Sequence, residues 1–168
     1  MTYPKLQMLI AGQWTDGTSG VSEDVFCPAD GTVLGRVPHA GKTDLDDALA
    51  SSLEGFNKWR AETPLNRQVI FEKAARILEK DFDEISANLT REMGKPLAEA
   101  NVEMQVAIDL LRWYGEEGKR VYGRIIPSRL PGMQHEARKV PVGPSLAFVA
   151  WNFPATNVMR KVAGALAA

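Results

Sequence analysis

The 168-residue chain has one cysteine, two histidines and almost no net charge. A lone thiol excludes an intrachain disulfide framework and suits a reducing compartment. His39 and His135 stand far apart, with no Cys or His at ligand spacing, so no metal site is expected. Twenty basic residues against twenty-one acidic ones give a formal charge of −1. That balance exerts no overall pull toward nucleic acid or an anionic membrane. No apolar run reaches membrane-spanning length. The opening Met1-Thr2-Tyr3-Pro4-Lys5 lacks the apolar core of a signal peptide. Repeats and low-complexity tracts are also missing. The expectation is a cytoplasmic globular protein with no nucleic-acid or membrane partner.

What is there fits that class: 45% of the residues are hydrophobic and 24% charged, which permits a sizeable core. Residues 7–37 alternate short apolar runs with Gly, Pro and Asp, predicting short strands and turns, with Gly12-Gln13 as a hairpin turn. Thr43 reads as the N-cap of a helix running to about Arg60. Thr63-Pro64 opens a second helix, with Leu65, Val69, Ala74, Ile77 and Leu78 on its apolar face. The charges on these helices, Arg67 and Glu72 among them, read as a solvated face. Asp81 and Glu84 suggest a capping-box start, Gly94 a stop, and Pro96 a further helix to about Tyr122. Residues 124–142 read as two β segments around Leu130-Pro131-Gly132.

Near the end of the chain, Ser145-Leu146-Ala147-Phe148-Val149-Ala150 reads as a buried strand. It breaks at Trp151-Asn152-Phe153-Pro154 and passes into an Ala-rich helix with Pro154 at its first position. Ligands of α/β folds bind at such corners, beyond the carboxyl end of a strand. Asn152 offers a neutral amide that can stabilise a developing oxyanion without titrating. An Asn at this place more often caps the helix or closes the turn, and spacing alone favours that role. Asn157, Arg160 and Lys161 share one face of the final helix, either a solvated stripe or a substrate-facing one. Cys27 precedes Pro28 with no His nearby, so it reads as a small apolar residue and not as a nucleophile.

Four stretches in order carry a resemblance: Met8-Leu9-Ile10-Ala11-Gly12-Gln13-Trp14, Cys27-Pro28-Ala29-Asp30-Gly31, Glu92-Met93-Gly94-Lys95-Pro96 and residues 140–168 with Trp151-Asn152-Phe153-Pro154. Together the chain resembles the aldehyde dehydrogenase superfamily, and within it the succinate-semialdehyde dehydrogenases. The position before Trp151 departs from the family's frequent Pro, being Ala150. The resemblance implies an α/β fold, the amino-terminal part of a Rossmann-type cofactor domain with an oligomerisation β-hairpin. Its divisions would be residues 1–123, the hairpin 124–142, and an incomplete dinucleotide-binding core at 143–168.

The resemblance further implies NAD or NADP as cofactor, bedded on Phe148, Val149, Ala150 and Trp151. Asn152 would be the catalytic oxyanion donor, and Phe153 and Arg160 substrate-binding residues. At Arg160 many relatives in the superfamily have an aromatic, whereas succinate-semialdehyde dehydrogenases commonly have Arg-Lys there. A guanidinium pairs with both oxygens of a carboxylate, so a carboxylated aldehyde is the expected substrate. The implied assembly is a homo-oligomer, a dimer or tetramer. The family's nucleophilic Cys and base Glu lie beyond this stretch, so a fragment of a longer enzyme, inactive alone, is expected. The alternative is a non-catalytic binding or assembly module.

Overall fold

The computed structural model describes residues 3–168. Helices begin where local chemistry satisfies their free N–H groups. Helix α1 spans Lys42–Trp59 and α2 spans Pro64–Lys80. Thr63 accepts a hydrogen bond from Asn66 N at 3.2 Å, with Pro64 in the first turn, as its sequence predicts. At α1 the expected Thr43 cap is displaced. Gly41 is the N-cap, and the Asp44 carboxylate reaches back to its N–H at 2.7 Å. Helix α3 is Phe82–Met93 and α4 is Leu97–Glu117. Asp81 precedes α3 but makes no side-chain cap bond. Gly94 ends α3 in the left-handed region at φ 76°, where a Cβ would lie 2.9 Å from Pro28 Cγ. That position needs glycine twice over, for conformation and for space. Helix α4 stops at Glu117, short of the expected Tyr122, and tightens into a 3-10 turn over Gly118–Arg120.

Among the described residues the strands form three separate antiparallel hairpins. They are β1 (Met8–Ile10) with β2 (Gln13–Thr15), β3 (Ser22–Phe26) with β4 (Val33–Pro38), and β5 (Arg124–Pro127) with β6 (Gln134–Ala137). The first turn falls on Ala11 and Gly12, both at positive φ, one residue before the expected pair. Two residues at positive φ give the turn handedness that matches strand twist. The second β segment of residues 124–142 is shorter than expected, since pairing ends at Ala137.

Residues 145–150 do not form the expected buried strand: they carry no regular structure and are exposed. Phe148 is 82% exposed and Leu146 84%. A strand buried on both faces requires hydrogen-bonded neighbours, and among the described residues no strand pairs with this one.

The core is helical. Phe71 and Ala75 of α2 and Ile108 and Leu111 of α4 bury against Ala163 and Ala167 of α5 (Pro154–Ala167). The inward face of α2 is therefore Arg67, Phe71, Ala75 and Leu78, not the face containing Leu65, Val69 and Ile77, which are exposed. Arg67 is buried, contrary to its reading as a surface charge. Its guanidinium donates to Ala168 O at 2.8 Å and to Trp59 O at 3.2 Å, and lies over the Trp59 ring. The Trp59 indole N–H donates to Leu166 O at 2.7 Å. These contacts hold residues 166–168 of the chain against Trp59 and α2. Arg112 of α4 pairs with Glu72 and Glu79 of α2 and ties the same helices together at the surface.

Candidate active site

The near end of α5 is held differently. Pro154 occupies its first position and has no N–H to satisfy. The next donors, Ala155 N and Thr156 N, point at Glu103 Oε1 of α4, at 2.8 and 3.2 Å. Thr156 Oγ1 donates to Glu103 O at 3.3 Å. A carboxylate at a helix N-terminus satisfies free donors and complements the helix dipole. The N-cap residue is Phe153, which makes no side-chain cap bond. Asn152 therefore does not cap the helix, the role its spacing favours, because an acid from another helix does so.

Glu103 is 3% exposed, and its other oxygen is ion-paired with Lys95, itself 7% exposed. The Lys95 ammonium also donates to Asn152 O at 3.2 Å and lies 4.5 Å from the centre of the Phe153 ring. The ammonium thus has two hydrogen-bond acceptors and an aromatic face, and both carboxylate oxygens are engaged. A buried charge is tolerated only when paired and hydrogen-bonded, and removing one partner typically costs about 3–5 kcal/mol.

This arrangement pins the main chain of Asn152 and leaves the residue itself exposed. Phe148 and Trp151 are exposed on the extended approach to the corner, as is Ala150, and Val149 is 38% exposed. Phe153 is half-exposed above Lys95. On α5, Asn157 is half-buried while Arg160 and Lys161 are exposed. The structure thus brings Asn152 and Phe153 onto one cluster with Lys95 and Glu103. Arg160 lies further along the helix and makes none of that cluster's contacts.

Sequence reasoning missed Glu103 altogether and took Lys95 only as a letter in a motif. A signal existed for Glu103. It falls among Ala100, Met104 and Ala107, on the face that α4 buries, and an acid at a core position calls for a partner.

A separate cavity of about 590 Å³ lies between α1, the end of α5 and residues 141–147, with Phe56, Trp59, Val142 and Val162 in its walls. It does not include Asn152. Cys27 sits in the β3–β4 turn, where its N–H donates to Thr32 O at 2.8 Å. Among the described residues no helix is long and apolar enough to cross a membrane.

Comparison with known proteins places the corner in context. The chain is 41% identical over 162 residues to a 4-(hydroxymethyl)benzenesulfonate dehydrogenase of Comamonas testosteroni, covering 96% of this chain and 34% of that one. It is 38% identical to the NADP(+) succinate-semialdehyde dehydrogenase GabD of Escherichia coli K12, with the same coverage. A crystal structure of an aldehyde dehydrogenase from Brucella melitensis biovar abortus 2308 superposes with a TM-score of 0.94 at 39% identity, over 98% of this chain and 34% of that one. The chain thus spans about a third of the length of these relatives. The aldehyde dehydrogenase family pattern matches residues 14–168, and the chain belongs to that family.

Proposed function

We propose that this chain is the amino-terminal part of an NAD(P)-dependent aldehyde dehydrogenase that oxidises a carboxylated aldehyde, such as succinate semialdehyde, to the acid. The observation that carries the reading is Asn152, exposed at the start of α5 while its main chain is anchored from beneath. A preorganised neutral donor is suited to an oxyanion that develops only during reaction, because no reorganisation is needed at that moment. In this reading the Asn152 amide donates to the oxygen of the adduct formed when a thiolate adds to the aldehyde.

The stretch 148–151 fits a nicotinamide. Its main chain is in no hairpin, and Phe148 and Trp151 offer exposed apolar surface to a flat ring. When bound, NAD or NADP supplies the two-electron oxidation. In this reading, as the family resemblance implies, the thiol and the base come from elsewhere in the polypeptide; Cys27, the one thiol here, lies in the β3–β4 turn. Two of the relatives are named for compounds bearing an anion, a sulfonate and a succinate semialdehyde. An exposed guanidinium at Arg160 suits an anionic substrate end. Within residues 124–142, β5 and β6 form a hairpin whose strands are exposed at every position. Exposed edges of this kind are commonly covered by pairing, and a subunit contact in a homo-oligomer would cover this one. The division into 1–123, 124–142 and 143–168 belongs to the same proposal.

The test uses the complete polypeptide that carries this chain, supplied with succinate semialdehyde or neutral butanal and each cofactor. NAD(P)H formation is expected, faster with the carboxylated aldehyde. Asn152→Ala should lower kcat by about 10²–10³-fold with the aldehyde KM little changed. An Ala variant as fast as the parent, or no NAD(P)H from either aldehyde, would overturn the proposal.

A further inference from the structure

Among the described residues, Lys95 and Glu103 are buried charges at the corner itself that the reaction as described does not use. Between them they contact four residues of the corner, Asn152 and Phe153 before Pro154 and Ala155 and Thr156 after it. The two side chains arrive from places whose own positions are fixed. Lys95 follows Gly94, locked by its positive φ and its close approach to Pro28. Glu103 lies in the second turn of α4, flanked by the buried Ala100 and Met104. The corner has no side-chain cap of its own, since the N-cap residue Phe153 makes no side-chain cap bond.

We infer that the Lys95–Glu103 pair is a positioning unit for Asn152, setting the direction of its amide through the main-chain carbonyl that Lys95 holds and the helix N-terminus that Glu103 holds. This inference rests on Asn152 being the oxyanion donor. It assigns the pair a role in rate as well as in folding. A donor must lie within a few tenths of an ångström of its place, and misplacement by about 1 Å can cost about a hundredfold in rate. Aldehyde binding in the ground state depends much less on the Asn152 amide than the developing oxyanion does, so kcat carries the effect.

The experiment compares Lys95→Met with the double variant Lys95→Met/Glu103→Gln in the complete polypeptide. Loss of Lys95 alone strands a buried carboxylate, and its folding defect alone could explain lost activity. The double variant removes both charges, while the Gln amide oxygen still accepts from Ala155 N and Thr156 N. Its melting temperature is expected to return toward that of the parent. Its single-turnover rate of NAD(P)H formation is expected to remain about 10–100-fold low, with aldehyde KM within about threefold. In an Asn152→Ala background, the same double change should alter the rate by less than about threefold, as residues acting through one group are non-additive. Recovery of the rate together with the melting temperature would make the pair purely structural and overturn the inference. So would an equal loss in the Asn152→Ala background. If Asn152→Ala itself leaves the rate intact, the oxyanion role fails first, an outcome distinct from a slow Asn152→Ala variant beside a fast Lys95→Met/Glu103→Gln variant.

Discussion

At the scale of single residues, the corner separates two jobs that a shorter design would merge. Asn152 keeps its side chain available while Glu103, an acid from another helix, serves the helix N-terminus. An Asn used as its own cap would have its amide oxygen engaged and its orientation set by the turn. Arg160 has the complementary freedom, being exposed on the same helix. Its proposed task predicts a selective loss. Arg160→Leu should reduce kcat/KM for succinate semialdehyde by about tenfold to a hundredfold, the value of a charged hydrogen bond of about 1.5–3 kcal/mol. Butanal should change by less than about threefold. Equal losses on both aldehydes would remove Arg160 from substrate recognition. Of the residues singled out from sequence, Asn152 had a legible place, just before α5, because turn and helix signals converge on it. Arg67 was not, because its charge suggests solvent, and only the carbonyls of Trp59 and of residues 166–168 explain its burial.

At the scale of elements, helix starts followed local chemistry, and helix faces did not. Thr63 and Pro64 are adjacent to the N–H groups they serve, so the start of α2 could be read directly. Which face of α2 turns inward depends on where α4 and α5 lie, and two apolar faces compete in the sequence. Phe71 and Ala75 define the buried one, leaving Leu65 and Ile77 outside. The start of α1 shows a similar limit. Asp44 accepts from Thr18 N at 2.8 Å, Thr18 Oγ1 at 2.9 Å and Gly41 N, joining the segment after β2 to the helix. The partner at Thr18 is 26 residues away, beyond the reach of a capping rule.

Asp44 also yields a pH prediction. The main-chain donors of Thr18 and Gly41 hold its carboxyl below the usual carboxylate range. A lowered folded pKa means that the contact stabilises the protein fully above the unfolded value of about 4. That contribution is lost as pH falls through the lower folded value. Asp44→Asn should therefore lower the melting temperature at pH 7 and flatten its fall between about pH 5 and pH 2. An unchanged acid slope in the variant would show that other carboxylates dominate acid unfolding.

At the scale of the whole molecule, α5 is the element on which the proposed site depends, and two other helices and Trp59 hold it. Arg67 and Trp59 bond carbonyls of residues 166–168, and Glu103 seats its first N–H groups. Between them Ala163 and Ala167 fill the cluster around Phe71, Ile108 and Leu111. Gly118 permits this approach, for a Cβ there would lie 2.9 Å from Ala167 O. Truncating the ring at the centre of the cluster should destabilise the protein as a unit. Phe71→Ala is expected to reduce the unfolding free energy by about 3–5 kcal/mol in urea titration. Val69→Ala, on the outer face of the same helix and 43% exposed, should cost under about 1 kcal/mol. Similar values for the two would mean that α2 does not pack as described.

The sequence by itself determined the features set by neighbouring residues. These are the cap at Thr63, the left-handed stop at Gly94, the first-turn proline at Pro154 and the order of motifs that marks the aldehyde dehydrogenase family. Only the tertiary structure decided the rest. Lys95 meets Asn152 across 57 positions, and Arg67 reaches the end of α5 across about a hundred. Residues 145–150, apolar enough for a buried strand, have no neighbouring strand to pair with among the described residues. Caps and turns are decided by atoms a few bonds away. Burial of a charge and pairing of a strand are decided by which distant segments supply the compensating hydrogen bonds.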